Sequence, residues 1–473
     1  MRTGTDSGIG NATEEQAMNS SGSEFIPGAN RGAPGSNTRR GFLGMAAGAS
    51  MAALGTLDGN PLAPQSVLAD SDSSRSSPAS VGTTTAVPFT IEVPEATLAA
   101  IKRRIRATTW PKAPTGGGWE YGVDLAFLRS LADYGLTAYD WRAQERTMNH
   151  FQHFKATIAG EDLHFVHELG SGASPQPLLL LHGWPYSFAS FLPLVERLAH
   201  PERFGGDAAD GFDVVIPSLP GYGFSDAPTS PLGPRAIAAR MNELMTTVLG
   251  YDRYSAQGGD WGAVIASWLA FDHAAHCTAI HLNAVGMGPA GPAFWVVDPG
   301  PGPLSPNDRA GLGQAQTQVL KNMAYFFQQA TRPLTTSYAM NDSPIGAAAW
   351  ILDKFYLWSD RRERTFEEIY GQDRLLTEVM VYLVTGTFDT SIWIHNGFIA
   401  EESWGLPPGE RIETPTYFAA YPDPLSPPPP RIALERVYNI VQWVDMPQGG
   451  HLPMLEQPEL FVRDLLKFGR LVR

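Results

Sequence analysis

Gly258-Gly259-Asp260-Trp261-Gly262 is the stretch on which the reading of this chain turns. It has the glycine–x–nucleophile–x–glycine spacing of a tight strand-to-helix turn that lifts one side chain above a sheet. Glycine is needed on both sides because the flanking segments pack too closely for a Cβ. The helix predicted to follow, over 263–270, points its N-terminus at Asp260 and favours an ionised carboxylate there. With aspartate at the centre, the group attacks as a carboxylate and needs no base to activate it. Such a nucleophile suits displacement at saturated carbon, which gives an alkyl ester. Taken alone, the same five residues also fit a glycine-rich turn whose aspartate caps the next helix.

Upstream, the apolar run Leu178-Leu179-Leu180-Leu181 leads directly into His182-Gly183-Trp184-Pro185. Short continuous apolar runs, here and at Val214-Val215-Ile216, suit strands buried on both faces, and helix-like stretches intervene at 191–198 and 237–249. Strands alternating with helices predict an α/β fold with a doubly wound, mostly parallel sheet. In such a sheet the loop after one strand and the residue after the nucleophile supply the two N–H groups of an oxyanion hole, which selects Trp184 and Trp261. Downstream, Asp423 follows a strand-like run at 414–421, and Gly449-Gly450-His451 follows another that ends at Met446. The chain order nucleophile, acid, base makes Asp423 the group that orients the imidazole and His451 the base that takes a proton from water. Residues 288–400 interrupt the alternation, first with a Pro/Gly-rich stretch and then with aromatic-rich helices, as a cap over the sheet's carboxyl edge would. On its residues alone, Tyr325 in that cap is one core aromatic among many.

Composition narrows the classes further. The 473 residues are 43% hydrophobic, ample for a buried core and incompatible with wholesale disorder. There are 34 basic and 48 acidic residues, a net charge of -14, so polyanions are repelled and nucleic acid is excluded as a partner. A single cysteine, Cys277, rules out a disulfide framework and a Cys-rich metal site. His150, His153, His164 and His167 straddle a hairpin without carboxylate or thiolate partners at ligand spacing, so no metal is expected. Near the N-terminus, Thr38-Arg39-Arg40-Gly41-Phe42-Leu43-Gly44 and the Gly/Ala-rich run that follows resemble a twin-arginine export signal, with Val67-Leu68-Ala69 suited to cleavage after Ala69. That run is shorter than the ~20 apolar residues a membrane span requires, so no stable membrane insertion is expected and the location is periplasmic or secreted. The chain divides into leader (1–69), linker (70–86), N-terminal helical domain (87–155), first part of the core (156–287), cap (288–400) and second part of the core (401–473).

From Pro88 to Leu471 the sequence resembles the epoxide hydrolases of the microsomal type. The carriers are Pro88-Phe89 through Trp110-Pro111, Trp119-Glu120-Tyr121-Gly122 and Tyr139-Asp140-Trp141-Arg142, then 182–185 and 258–262. In the cap they are Thr331-Arg332-Pro333, Asp342-Ser343-Pro344 and Ala349-Trp350-Ile351-Leu352-Asp353-Lys354-Phe355. The resemblance implies the α/β-hydrolase fold with an N-terminal helical domain and an inserted helical cap, and no cofactor. By it Asp260 is the nucleophile, Asp423 the acid, His451 the base, and Tyr325 one of two cap tyrosines that protonate the epoxide oxygen. The second tyrosine falls eight residues after Thr385-Gly386-Thr387, where this chain has His395, whose imidazole can still donate a hydrogen bond. A small epoxide and water are the implied partners, and a homodimer is compatible. Two alternatives share the features: a haloalkane or haloacid dehalogenase, which also uses a carboxylate nucleophile, and an exported binding protein that keeps the fold without turnover.

Overall fold

The computed structural model describes residues 85–287, 303–401, 405–407 and 409–473. The leader, the linker up to residue 84 and the stretch 288–302 of the cap lie outside the described residues. The strands are β1 (Val87–Phe89), β2 (His153–Ile158), β3 (Glu161–Glu168), β4 (Gln176–Leu181), β5 (Phe212–Pro217), β6 (Tyr254–Gly258), β7 (Cys277–Leu282), β8 (Ile412–Ala420) and β9 (Tyr438–Asp445). They form one sheet in the order β1-β2-β3-β5-β4-β6-β7-β8-β9. The first three strands and the β3–β5 pair run antiparallel, and from β5 to β9 every pair is parallel. Leu178 to Leu181 and Val214 to Ile216 are fully buried, as strands covered on both faces must be. Register then decides where the chemistry falls. Leu181 pairs with Gly258, Gly258 with Leu282, Leu282 with Phe418 and Ala420 with Asp445, so the strand ends followed by His182, Asp260, Asp423 and His451 share one edge.

The N-terminal domain contributes α1 (Glu95–Arg106), α2 (Leu125–Thr137) and α3 (Trp141–Met148). Leu98, Ile101, Leu128 and Leu131 bury the faces their three- and four-residue spacing predicts. Asp124 and Asp140 cap α2 and α3 by accepting from the N–H of Phe127 and Ala143. One expectation is corrected: the domain is not helical throughout, because Val87–Phe89 pairs with β2 as an edge strand, where Pro88 needs no partner for a missing N–H.

The core helices are α4 (Leu192–Ala199), α5 (Pro234–Glu243) and α6 (Trp261–Asp272). α6 begins two residues earlier than predicted, directly after Asp260, and is buried all round from Trp261 to Ala270. The cap is built from α7 (Pro306–Asn322), α8 (Ala324–Thr331), α9 (Pro333–Asp342), α10 (Pro344–Trp358), α11 (Phe366–Thr385), α12 (Phe388–Ser391) and α13 (Trp393–Ala400). Thr365 and Glu368 form a reciprocal capping box that starts α11. The chain closes with α14 (Pro453–Glu456) and α15 (Pro458–Val472).

Candidate active site

At the β6–α6 turn, Asp260 adopts φ 51° and ψ -130°, a conformation that costs a non-glycine residue free energy and persists only where packing enforces it. The enforcement comes from close backbone approach. A Cβ at Gly258 would lie 2.1 Å from Gly262 O, and one at Gly262 would lie 2.1 Å from Leu181 O. Asp260 makes no side-chain capping bond to α6, so the turn is not held by its carboxylate. Instead the side chain is turned over the sheet edge. Its Oδ1 accepts from Trp184 N–H at 2.9 Å and its Oδ2 lies 3.1 Å from His451 Nε2. The backbone N–H of Trp261, next in the chain, also favours the charged form of this carboxylate. Both N–H groups selected from the sequence therefore converge on Asp260.

The loop carrying Trp184 is fixed by its own polar residues. His182 Nδ1 contacts Gly183 O at 2.9 Å while Nε2 accepts from Leu219 N–H at 3.0 Å, so the ring is neutral, and burial pushes its pKa down to about 4. The Trp184–Pro185 peptide is cis. Tyr186 donates its hydroxyl to Gly259 O at 3.1 Å, which ties this loop to the residue before Asp260.

His451 Nδ1 lies 2.6 Å from Asp423 Oδ2, and Asp423 Oδ1 accepts from Leu425 N–H at 2.7 Å. Burial works against charge on the imidazole, but the carboxylates of Asp423 and Asp260 and the hydrogen bonds to them prevail and raise its pKa to about 10. Burial likewise works to raise the Asp260 pKa. The hydrogen bond and charge of His451 and the two N–H donors outweigh it and hold the group below the ordinary carboxylate value. In the resting site Asp260 and His451 are thus an ion pair, braced by Asp423.

Tyr325, on α8, lies with its ring stacked on Trp184 (centroids 5.4 Å apart, interplanar angle 12°) and against Trp358. Burial and the charges of Asp260 and Asp423 push its pKa well above the usual phenol value, so it keeps its proton. Asp260, His451 and Tyr325 line one cavity of about 50 Å³, otherwise walled mainly by Trp261, Val264, Val285, Met323, Phe326 and Leu425.

His395, on α13, is fully buried in the same ring cluster, 4.9 Å from the Trp261 ring and 6.0 Å from that of Tyr325. Its nitrogens are already engaged. Trp350 Nε1–H can only donate, and it does so to Gln329 Oε1 at 2.8 Å, which turns the Gln329 amide N–H₂ toward the imidazole. That amide nitrogen is 3.1 Å from His395 Nε2, and His395 Nδ1 is 3.2 Å from Ile392 O. Nδ1–H donates to the carbonyl and Nε2 accepts, so neither nitrogen is free to donate to a ligand in this arrangement. Burial drives the ring's pKa down to about 3, in keeping with a neutral acceptor.

Sequence reasoning missed Glu456. This buried carboxylate, on α14, accepts from Gly450 N–H (2.9 Å) and Leu452 N–H (2.9 Å), on either side of His451, and from Asp360 N–H (2.7 Å). Its position five residues after His451 is plain in the sequence, but only the fold reveals that the chain turns back on it. The paired histidines of the hairpin are structural: His153 Nδ1 and His164 Nε2 lie 3.0 Å apart, and Met148 O and Ser218 Oγ engage their other nitrogens.

Comparison with known proteins agrees with this geometry. The family described as alpha/beta hydrolase fold matches residues 176–458, and the one described as epoxide hydrolase N terminus matches residues 86–191. The chain belongs to the α/β-hydrolases. Within them it belongs to the epoxide hydrolase family. It is 38% identical over 390 residues to a putative epoxide hydrolase of Stigmatella aurantiaca (strain DW4/3-1), covering 82% of this chain and 85% of that one. It is 30% identical over 402 residues to epoxide hydrolase 1 of Sus scrofa, covering 80% and 88%. Among solved structures, juvenile hormone epoxide hydrolase of the silkworm Bombyx mori aligns with TM-score 0.73 and 30% identity over 82% of this chain and 95% of that one. The Aspergillus niger epoxide hydrolase aligns with TM-score 0.69 and 28% identity over 83% and 97%. The α/β-hydrolase fold expected from the sequence is the one found, and the dehalogenase and binding-protein alternatives give way to an epoxide hydrolase.

Proposed function

We propose that the enzyme opens uncharged, apolar epoxides to vicinal diols through an ester on Asp260. The observation that carries this reading is the division of labour on one carboxylate: Oδ1 sits on the Trp184 N–H, and Oδ2 faces His451. Oδ2 attacks an epoxide carbon as that carbon's bond to the ring oxygen breaks, and Tyr325 gives its proton to the departing oxygen. Oδ1 then becomes the ester carbonyl oxygen, already seated on the Trp184 N–H, with the Trp261 N–H as the second donor of the oxyanion hole. Esterification removes the charge of Asp260, one of the groups that raise the His451 pKa, so the imidazolium gives up its proton, which restores the Tyr325 phenol, and the neutral ring is a base when water must be activated. Water loses a proton to His451, held by Asp423, and attacks the ester carbonyl carbon. The two N–H groups hold the resulting oxyanion, and each is worth ~3 kcal/mol in the transition state. As the carbonyl re-forms, the leaving diol oxygen takes the remaining proton of the added water, and Asp260 and His451 are left as the resting ion pair. The apolar walls support an uncharged substrate, since among the described residues lining the cavity the only charged groups are Asp260 and His451, which pair with each other. His395 holds the cap wall through Gln329, and Tyr325 is the donor. Single turnover in heavy-oxygen water tests the route. Label must first appear in the carboxylate of Asp260, and label entering the diol directly would overturn it.

The Arg39-Arg40 leader supports export by a twin-arginine route. Changing both arginines to lysine should retain the enzyme in the cytoplasm, and unchanged export would reject that route.

A further inference from the structure

We infer that Glu378 is a positioning residue of this enzyme: ionised, it latches the cap onto the loop that presents the Trp184 N–H to Asp260. The inference rests on the proposed role of Asp260. Glu378 is 2% exposed, on α11 of the cap, and faces the core loop after Trp184. Its Oε1 accepts from Ser190 Oγ at 2.6 Å and its Oε2 from Ser187 Oγ at 3.1 Å. One turn further along α11, Tyr382 donates its hydroxyl to Tyr186 O at 3.1 Å. Tyr186 in turn donates to Gly259 O. The cap helix therefore grips residues 186–190 at three points, and that loop reaches the catalytic turn through Tyr186 to Gly259 and, two residues before it, through Trp184 to Asp260.

The two serine hydroxyls suit the charged form as donors. Ser187 Oγ accepts from Ala189 N–H and has its proton to give to Glu378 Oε2. A protonated Glu378 would bring a donor where two donors already point, and at least one serine would have to turn away. No cation lies within ion-pair distance of Glu378 among the described residues. Arg374, on the same helix, attracts the carboxylate from farther off and aims its guanidinium at Leu455 O. The other ionisable neighbours are Tyr370 and Tyr382 on α11, Tyr139 of the N-terminal domain, and Glu456, which Tyr370 also senses. The phenols stay neutral. Burial outweighs the two serine hydrogen bonds and the attraction of Arg374, so the Glu378 carboxyl is raised to about 7. The latch thus engages as pH climbs through neutrality.

The test is the rate of ester formation on Asp260 in single turnover with styrene oxide, at pH values on both sides of neutrality. It is made by quenched flow on the intact enzyme, reading the first, ester-forming phase, where His451 keeps Asp260 ionised across this range. The rate should rise through about pH 7. In Glu378→Gln it should stay at the acid-side level, roughly tenfold below the parent's alkaline plateau, the equivalent of one weakened hydrogen bond. Ser190→Ala, a milder change, should move the inflection to higher pH because one hydrogen bond to the charged form is gone. An inflection that survives Glu378→Gln, or does not move in Ser190→Ala, would overturn the inference. If the intact enzyme forms no ester at all, the role of Asp260 falls first, and the inference with it.

Discussion

At the scale of single residues, the site separates tasks that one glance at its aromatic lining would blur. Tyr325 and His395 both sit in the ring cluster, but among the described residues the phenol has no hydrogen-bond partner while both imidazole nitrogens are engaged. Tyr325→Phe should slow ester formation by about 10²–10⁴-fold, the usual worth of a positioned acid. His395→Phe should leave that step within about an order of magnitude while lowering stability by ~1–3 kcal/mol, because the buried Gln329 amide loses its acceptor. Single-turnover rates and thermal unfolding decide between them, and equal damage to the chemistry from both changes would return His395 to the role of proton donor. The imidazole of His451 offers a second check. Its pKa is raised to about 10 by two carboxylates, so Asp260→Asn should lower it, as read from the ring's NMR titration. An unmoved titration would mean that ester formation does not switch His451 into a base.

At the scale of elements, three turns do the positioning, and each fails differently. The β6–α6 turn tolerates no Cβ at Gly262, which would lie 2.1 Å from Leu181 O. Gly262→Ala should cost several kcal/mol of stability or prevent folding, as urea titration would show. The loop after β4 is limited at Gly183 in another way, since a Cβ there would sit 2.3 Å from Asp260 Oδ1. The loop after β9 depends on Glu456, which holds the N–H groups either side of His451. Glu456→Gln has one acceptor oxygen where the carboxylate has two. Its ester should still form but persist, because His451 is displaced from the carbonyl that water must attack. Quenched-flow detection of the ester reads this directly, and a variant with normal ester breakdown would reduce Glu456 to a structural part.

For the molecule as a whole, the buried carboxylates make stability depend on pH in a direction that can be worked out. Glu378 is raised to about 7 in the fold, above its unfolded value, so the native state binds its proton more tightly. Its contribution is therefore most favourable in acid and is lost as pH rises from the unfolded carboxylate range through about 7. Relative to the parent, Glu378→Gln should gain stability over that window, on the order of 3 kcal/mol, as measured by urea unfolding at a series of pH values. A constant difference would show that Glu378 does not change charge there. His451 runs the same way in a higher window: the raised imidazole stabilises the fold below its unfolded pKa, and that contribution fades as pH rises through about 10.

What the sequence determined by itself was whatever depends on local pattern. Continuous apolar runs marked the buried strands, glycines at fixed spacing marked the turn around Asp260, and the order Asp260, Asp423, His451 marked the site. These features were legible because backbone crowding at a tight turn and burial on both faces of a strand restrict residue type at known positions. The strand at Val87–Phe89, the Glu456 clasp, the Glu378 latch and the engagement of both His395 nitrogens were not legible. Each joins residues far apart in the chain, and a carboxylate, a serine or a histidine carries no mark of burial until the register of the sheet and the seating of the cap decide what lies opposite it. Tertiary structure settles these because a buried polar group must find its partner across space.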